Sequence, residues 1–178
     1  MAPISNTNSQ IRSVDFNKVA YPDFPDYTKS KPKHLSLKAG EGKPSYVNYG
    51  DLTGDEIEEA MVVISVENRG SAIQHYVYIF TEENQKLKLL WYFEAGDRAD
   101  GGLRQIFAEN GQLVIELFGK DRVVGGELYK GDEGLCCPSS FTRTRYQWTG
   151  KEFQQISKEV LANPKGNASP LMSPYSSG

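Results

Sequence analysis

The stretch "YGDLTGDEIEEAMVVISVE", residues 49–67, joins two patterns, and its second half decides the fold. No charge interrupts it between Ala60 and Val66. In an extended chain Ala60, Val62, Ile64 and Val66 fall on one face and Met61 and Val63 on the other. Apolar residues on both faces mark a central strand covered from both sides. The first half is a short loop carrying Asp51, Asp55, Glu56, Glu58 and Glu59. Such a loop either holds a cation or simply turns the chain into the strand.

Working outward, other segments repeat the two-residue period. In "IQHYVYIFTEE" Tyr76, Tyr78 and Phe80 oppose Val77 and Ile79, and "KLKLLWYFE" aligns Leu87, Leu89, Trp91 and Phe93. The "EENQ" between them reads as a hairpin turn. In "LRQIFAENGQLVIELFG" Asn110-Gly111 supplies the two positive-φ positions of a tight type I′ turn. "FTRTRYQW" and "EFQQISKEV" flank Thr149-Gly150-Lys151 as a last hairpin, with a helix over "EFQQISKEVLAN" as the second reading. Upstream, "VDFNKVAY" alternates weakly and stops at Pro22, and a segment with three prolines follows as an irregular connection. "HLSLKAG" (residues 34–40) and "PSYVNYGDL" suit short strands. "KDRVVGGELYKGDEGLCCPSS" is a Gly-rich loop with a short strand expected near Val123.

The count is roughly seven to nine strands joined by short turns, which predicts a mainly β fold, an antiparallel meander forming a sandwich or a partly open barrel. No fixed-period repeat is visible, which argues against a full propeller. With 178 residues the chain suits a single domain with a real core. The expected organisation is a flexible leader over 1–12, a β domain over 13–162 and a disordered Pro/Ser/Gly-rich tail over 163–178.

A net charge of -3 gives no electrostatic case for nucleic acid. No run approaches the roughly 20 apolar residues of a membrane helix. "MAPISNTNSQ" lacks the basic-then-apolar pattern of a signal. Met1-Ala2-Pro3 is compatible with a start that replaces a removed export signal.

Asp51, Thr53, Asp55, the Ile57 carbonyl and Glu59 fall at every second position of the acidic loop. That spacing turns several oxygens inward, and calcium takes about 6–8 hard oxygen ligands. Thr53 stands where a carboxylate is usual, and Glu56 where such loops place Gly for a sharp turn. The alternative is an Asp/Thr/Gly turn in which Asp51 and Asp55 accept hydrogen bonds from local amides.

"YGDLTGDEIEEAMVVISV" resembles the D-x-[DT]-G-D-G-x-x-[DE]-A-x-V loop and strand of FG-GAP and VCBS-like segments. "LLWYFEAGDRADGGLR", "AENGQLVIELFGKDRVVGG" and "GLCCPSSFTRTRYQW" are similar to a family of small exported bacterial proteins that carries this segment once. The likeness extends over about residues 14–160, with CCPS its most distinctive piece. It implies a mainly β protein of the periplasm or the secreted fraction, and no established activity. In FG-GAP-type loops the matching Asp51, Thr53, Asp55 and Glu59 would be cation ligands. Glu56 departs from that pattern.

Two other features carry chemistry. Cys136 and Cys137 are adjacent and are the only cysteines. They can form a strained vicinal disulfide in an oxidising compartment or remain free thiols. In "AGDRADGGLR" Asp97, Arg98, Asp100 and Arg104 alternate in sign. With Arg122, Arg143 and Arg145 they can line an anion-binding cleft, or brace loops as ion pairs.

A catalytic set is not legible. His34 and His75 are the only histidines, and triads are recognised by geometry. Gly125 and Gly126 lack a following helix, so a phosphate loop is not expected. Glu58 and Glu59 are neighbours and point to opposite faces of a strand. The leading expectation is a non-enzymatic exported β domain that binds a protein or an envelope component. A calcium-stabilised structural module is the second, and an enzyme using Asp97, Arg98, Asp100, Arg143 and Arg145 the third.

Overall fold

The computed structural model describes residues 10–19, 21, 24–25, 32–33, 43–67, 73–96, 102–125 and 139–163. A 3-10 turn spans Gln10–Ser13. The strands are β1 (Phe24–Pro25), β2 (Pro32–Lys33), β3 (Lys43–Gly50), β4 (Glu59–Glu67), β5 (Ile73–Glu83), β6 (Lys86–Gly96), β7 (Leu103–Glu109), β8 (Gln112–Phe118), β9 (Ser140–Trp148) and β10 (Phe153–Ala162). β1 and β2 form a small ribbon. β3 to β6 make one four-stranded sheet and β7 to β10 a second, each in sequence order. Every pairing is antiparallel. The result is a mainly β, open two-sheet sandwich rather than a closed barrel.

Local chemistry accounts for the turns. Asn84 (φ 53°) and Gln85 (φ 64°) join β5 to β6, and Asn110 (φ 53°) and Gly111 (φ 73°) join β7 to β8. Two successive left-handed residues match the twist of a hairpin. The residues 153–162 that also suited a helix form β10, paired with β9 along its length around a bulge between Gln155 and Ser157. Expected strands are absent at two places among the described residues. Around Val123, Asp121 (φ 51°) and Gly125 (φ 72°) interrupt any extended run. Between Val14 and Val19 the chain turns instead: Val14 N–H donates to the Ile11 carbonyl, and Lys18 N–H to that of Asp15. The segment 34–40 lies outside the described residues.

β4 is covered on both faces. Met61 and Val63 join Val77, Ile79, Phe93 and Ala95 in the core between the sheets, facing Leu103, Ile106, Leu113, Ile115, Leu117 and Tyr146. On its other face Ala60, Val62 and Ile64 lie with Tyr76, Tyr78 and Phe80. There the cover is the N-terminal segment, through Ile11, Phe16 and Tyr21. Phe16 meets Phe80 at 5.8 Å and Tyr21 meets Tyr78 at 4.8 Å between ring centroids. The Tyr21 hydroxyl donates to the Phe16 carbonyl at 2.6 Å, fixing the segment's own bend. Burying each such side chain stabilises by about 1.5–3 kcal/mol before ordering entropy is subtracted.

The sheets also meet at an edge, where β3 ends against β7. A Cβ on Gly50 would lie 2.5 Å from the Ala108 Cβ. This contact sets the acidic loop, which begins at the next residue, beside the second sheet.

Candidate functional site

Residues 51–58 connect β3 to β4, and Gly50 pairs with Glu59 across the base of the loop. The loop folds around Asp51. Its Oδ1 accepts the amides of Thr53 (3.1 Å) and Gly54 (2.8 Å), and its Oδ2 that of Glu56 (2.9 Å). Asp55 Oδ1 accepts the Ile57 amide at 2.9 Å. Glu56 takes a φ of 67°, so the residue standing where Gly is usual still makes the sharp turn. Ile57 is exposed. The Asn110-Gly111 turn packs against this loop: a Cβ on Gly111 would come 3.2 Å from Gly54 Cα.

Glu59 opens β4 and is fully buried. Its Oε1 accepts the Leu52 amide at 2.8 Å and its Oε2 the Thr81 hydroxyl at 3.1 Å. Burial pushes its carboxyl up to about 7. The Leu52 amide opposes that shift most, Asp55 adds to it, the Thr81 bond opposes it, and Asp51 adds a smaller push. One oxygen each from Asp51, Asp55 and Glu59 can come together within 4.8 Å. Two oxygens bound to one ion at about 2.3–2.6 Å are at most about 5 Å apart, so the triad is close enough to share a single cation. The Thr53 hydroxyl, in the same loop, is buried without a hydrogen-bond partner. An orphaned buried oxygen is costly and suits a group still to be supplied. The expected ligand set Asp51, Thr53, Asp55, Ile57 and Glu59 is thus one loop, with three carboxylates converging.

The arginines form a different arrangement. Leu113, Ile115 and Leu117 of β8 face the core, so Glu116 points to the outer face of the second sheet. Glu116 is fully buried and receives Arg104 on Oε1 and Arg143 on Oε2, the latter at 2.7 Å. Both guanidiniums lie over Phe141, at 4.0 and 5.8 Å from the ring centre. Arg143 also reaches Glu159 at 3.9 Å, and Arg145 pairs with Glu109 at 2.9 Å. Arg122 is buried, with its amide donating to Thr142. Asp97, Arg98, Asp100, Cys136 and Cys137 lie outside the described residues, as do His34 and Gly126. His75 is half-buried on β5, opposite Ser65. Arg104, Arg143 and Arg145 therefore each meet a glutamate of the second sheet.

Several contributors escape a reading of the sequence. Glu116 carries a usable signal, a single charge inside the apolar run "LVIELF". Thr81 and Arg12 carry none, because their partners Glu59 and Glu58 lie 22 and 46 residues away.

Comparison with known proteins gives one distant likeness. The chain is 23% identical over 156 residues to Lipoprotein CseA of Streptomyces avermitilis, a match covering 88% of this chain and 64% of that protein. The chain thus spans less than two thirds of that relative's length. No family model and no solved structure matches the chain. The FG-GAP and VCBS-like likeness accordingly rests on the loop residues alone. Among the described residues no helix is long and apolar enough to cross a membrane.

Proposed function

We propose that this chain is an exported, non-catalytic β domain of the cell envelope, fastened by a calcium ion in the 51–59 loop and acting as a binding module. The observation that carries the cation is the convergence of Asp51, Asp55 and Glu59 beside an orphaned Thr53 hydroxyl. An ion there would satisfy that oxygen and neutralise three close carboxylates. It would also stiffen the seam where Gly111 of the second sheet rests on the loop of the first. Export is supported by the lipoprotein likeness and is what the resemblance to the small exported bacterial family implies. The partner would be a protein or an envelope component. The enzyme reading loses support because Arg104, Arg143 and Arg145 each already meet a glutamate.

Thermal unfolding measured against calcium concentration tests the reading. An ion bound only to the folded state at about 100 times its Kd adds about 2.7 kcal/mol. For a domain of this size that is a rise in Tm of about 5–10 °C. Asp51→Asn is expected to abolish the rise. An unchanged Tm at millimolar calcium, or an equal rise in the variant, would refute calcium binding at this loop.

A further inference from the structure

The segment covering β4 and β5 is tied to the acidic loop through Arg12. Arg12 donates through Nε and Nη2 to both carboxylate oxygens of Glu58, each at 2.7 Å. Its guanidinium also lies 4.8 Å from the centre of the Tyr49 ring. Tyr49 stands two residues before Asp51, and Glu58 one residue before Glu59. One side chain therefore spans both shoulders of the loop. The apolar part of the segment starts next to it, since Ile11 is buried in the cluster that includes Ala60, the residue after Glu59.

We infer that the N-terminal segment and the acidic loop open and close as one unit, with Arg12 as the latch between a movable cover and the loop. When the shoulders part, the forked Arg12–Glu58 pair loses its geometry, because both guanidinium contacts need Glu58 and Tyr49 in place. When the segment lifts, the loop loses the brace that holds its two ends together. What the cover exposes on lifting is the aromatic face of Tyr76, Tyr78 and Phe80. The coupling stands on the Arg12 contacts. Its control by calcium is a consequence that rests on the function proposed above: an ion that closes the loop also closes the cover.

Hydrogen exchange of the full chain with and without calcium tests this, using Arg12→Gln, whose side chain is half exposed and whose loss leaves the core intact. Couplings between sites are typically 5–150-fold, so we expect exchange of the Leu52, Thr53, Gly54, Glu56 and Ile57 amides to quicken by about fivefold or more in the variant. The segment amides of Val14, Asn17 and Lys18 quicken with them, and those of β8 do not. Faster exchange in the segment alone, or in neither place, overturns the coupling. In the wild type calcium is expected to slow both regions, and slowing of the loop alone overturns the coupling. If calcium slows neither, the cation reading falls, while the variant's exchange in the absence of calcium still decides the coupling. Calcium affinity adds a test of sign. Removing a positive charge beside an acidic loop strengthens cation binding by Coulomb's law alone. Reciprocal coupling predicts the opposite, an affinity about fivefold weaker in Arg12→Gln. An equal or tighter affinity overturns the coupling.

Discussion

Glu56 illustrates how a single residue can depart from a motif while keeping its shape. Its φ of 67° lies in the left-handed region that glycine enters freely. A side chain there costs roughly 1–2 kcal/mol, while glycine in the unfolded chain costs about 0.5–1 kcal/mol in entropy. Glu56→Gly is therefore expected to raise unfolding stability by about 0.5–1 kcal/mol, read as a higher urea midpoint with an unchanged slope. A lower midpoint would mean that the Glu56 side chain contributes more than its backbone costs. The substitution also returns the loop to the pattern from which the sequence departs, so calcium affinity is expected to rise with it. From the sequence, Glu56 argues against a cation loop. The amide it donates to Asp51 explains why the turn survives.

At the scale of elements, the seam between β3 and β7 leaves no room for an extra methyl. A Cβ added at Gly50 would lie 2.5 Å from the Ala108 Cβ, and neither group can rotate away. Gly50→Ala is expected to destabilise by about 1–3 kcal/mol, measured by chemical denaturation. A neutral result would mean that the two sheets slide freely at this edge. The outer face of the second sheet makes a second case. Glu116 joins Arg104 of β7 to Arg143 of β9 and is itself fully buried. Removing one member of such a group strands the others, so Glu116→Ala is expected to cost about 2–4 kcal/mol, the partial exposure of both arginines lowering the usual figure. A loss below about 0.5 kcal/mol, the range of an ordinary surface substitution, would show that the arginines find water as readily as they find Glu116. The strands themselves are legible, because alternation and the Asn110-Gly111 turn are local signals. The arginine partners are not legible, because a register irregularity between Leu103 and Gln105 sets what Arg104 faces. No local pattern records where a strand slips.

For the molecule as a whole, the two-faced pattern of β4 announces that a second cover must exist. It does not say which segment supplies it, and the answer is the stretch that carries Ile11, Phe16 and Tyr21, which the sequence offers only as the end of a leader and a weakly alternating segment. The acidic loop was legible as a place, but its chemistry depends on burial, which the sequence does not state. Glu59 titrates at about 7 when folded, against an ordinary 4.5. Between those values the unfolded chain has lost its proton and the folded one has kept it. Stability from this group is therefore complete below about pH 4.5 and falls as pH rises through 7, by at most about 3 kcal/mol. Glu58 acts oppositely: the hydrogen bonds from Arg12 hold its carboxyl below the ordinary range, so its contribution is lost as pH falls. In a chelator, Tm is expected to decline from pH 5 to pH 8, and Glu59→Gln to remove most of the slope. A calcium ion would favour the Glu59 carboxylate, so the rise in Tm on adding calcium should be larger at pH 8 than at pH 5.5. A wild-type Tm that climbs across this range without calcium would mean that Glu59 is already ionised at the base of the loop. Its hydrogen bonds from Leu52 and Thr81 would then outweigh burial, and the loop would be charged whether or not an ion is present.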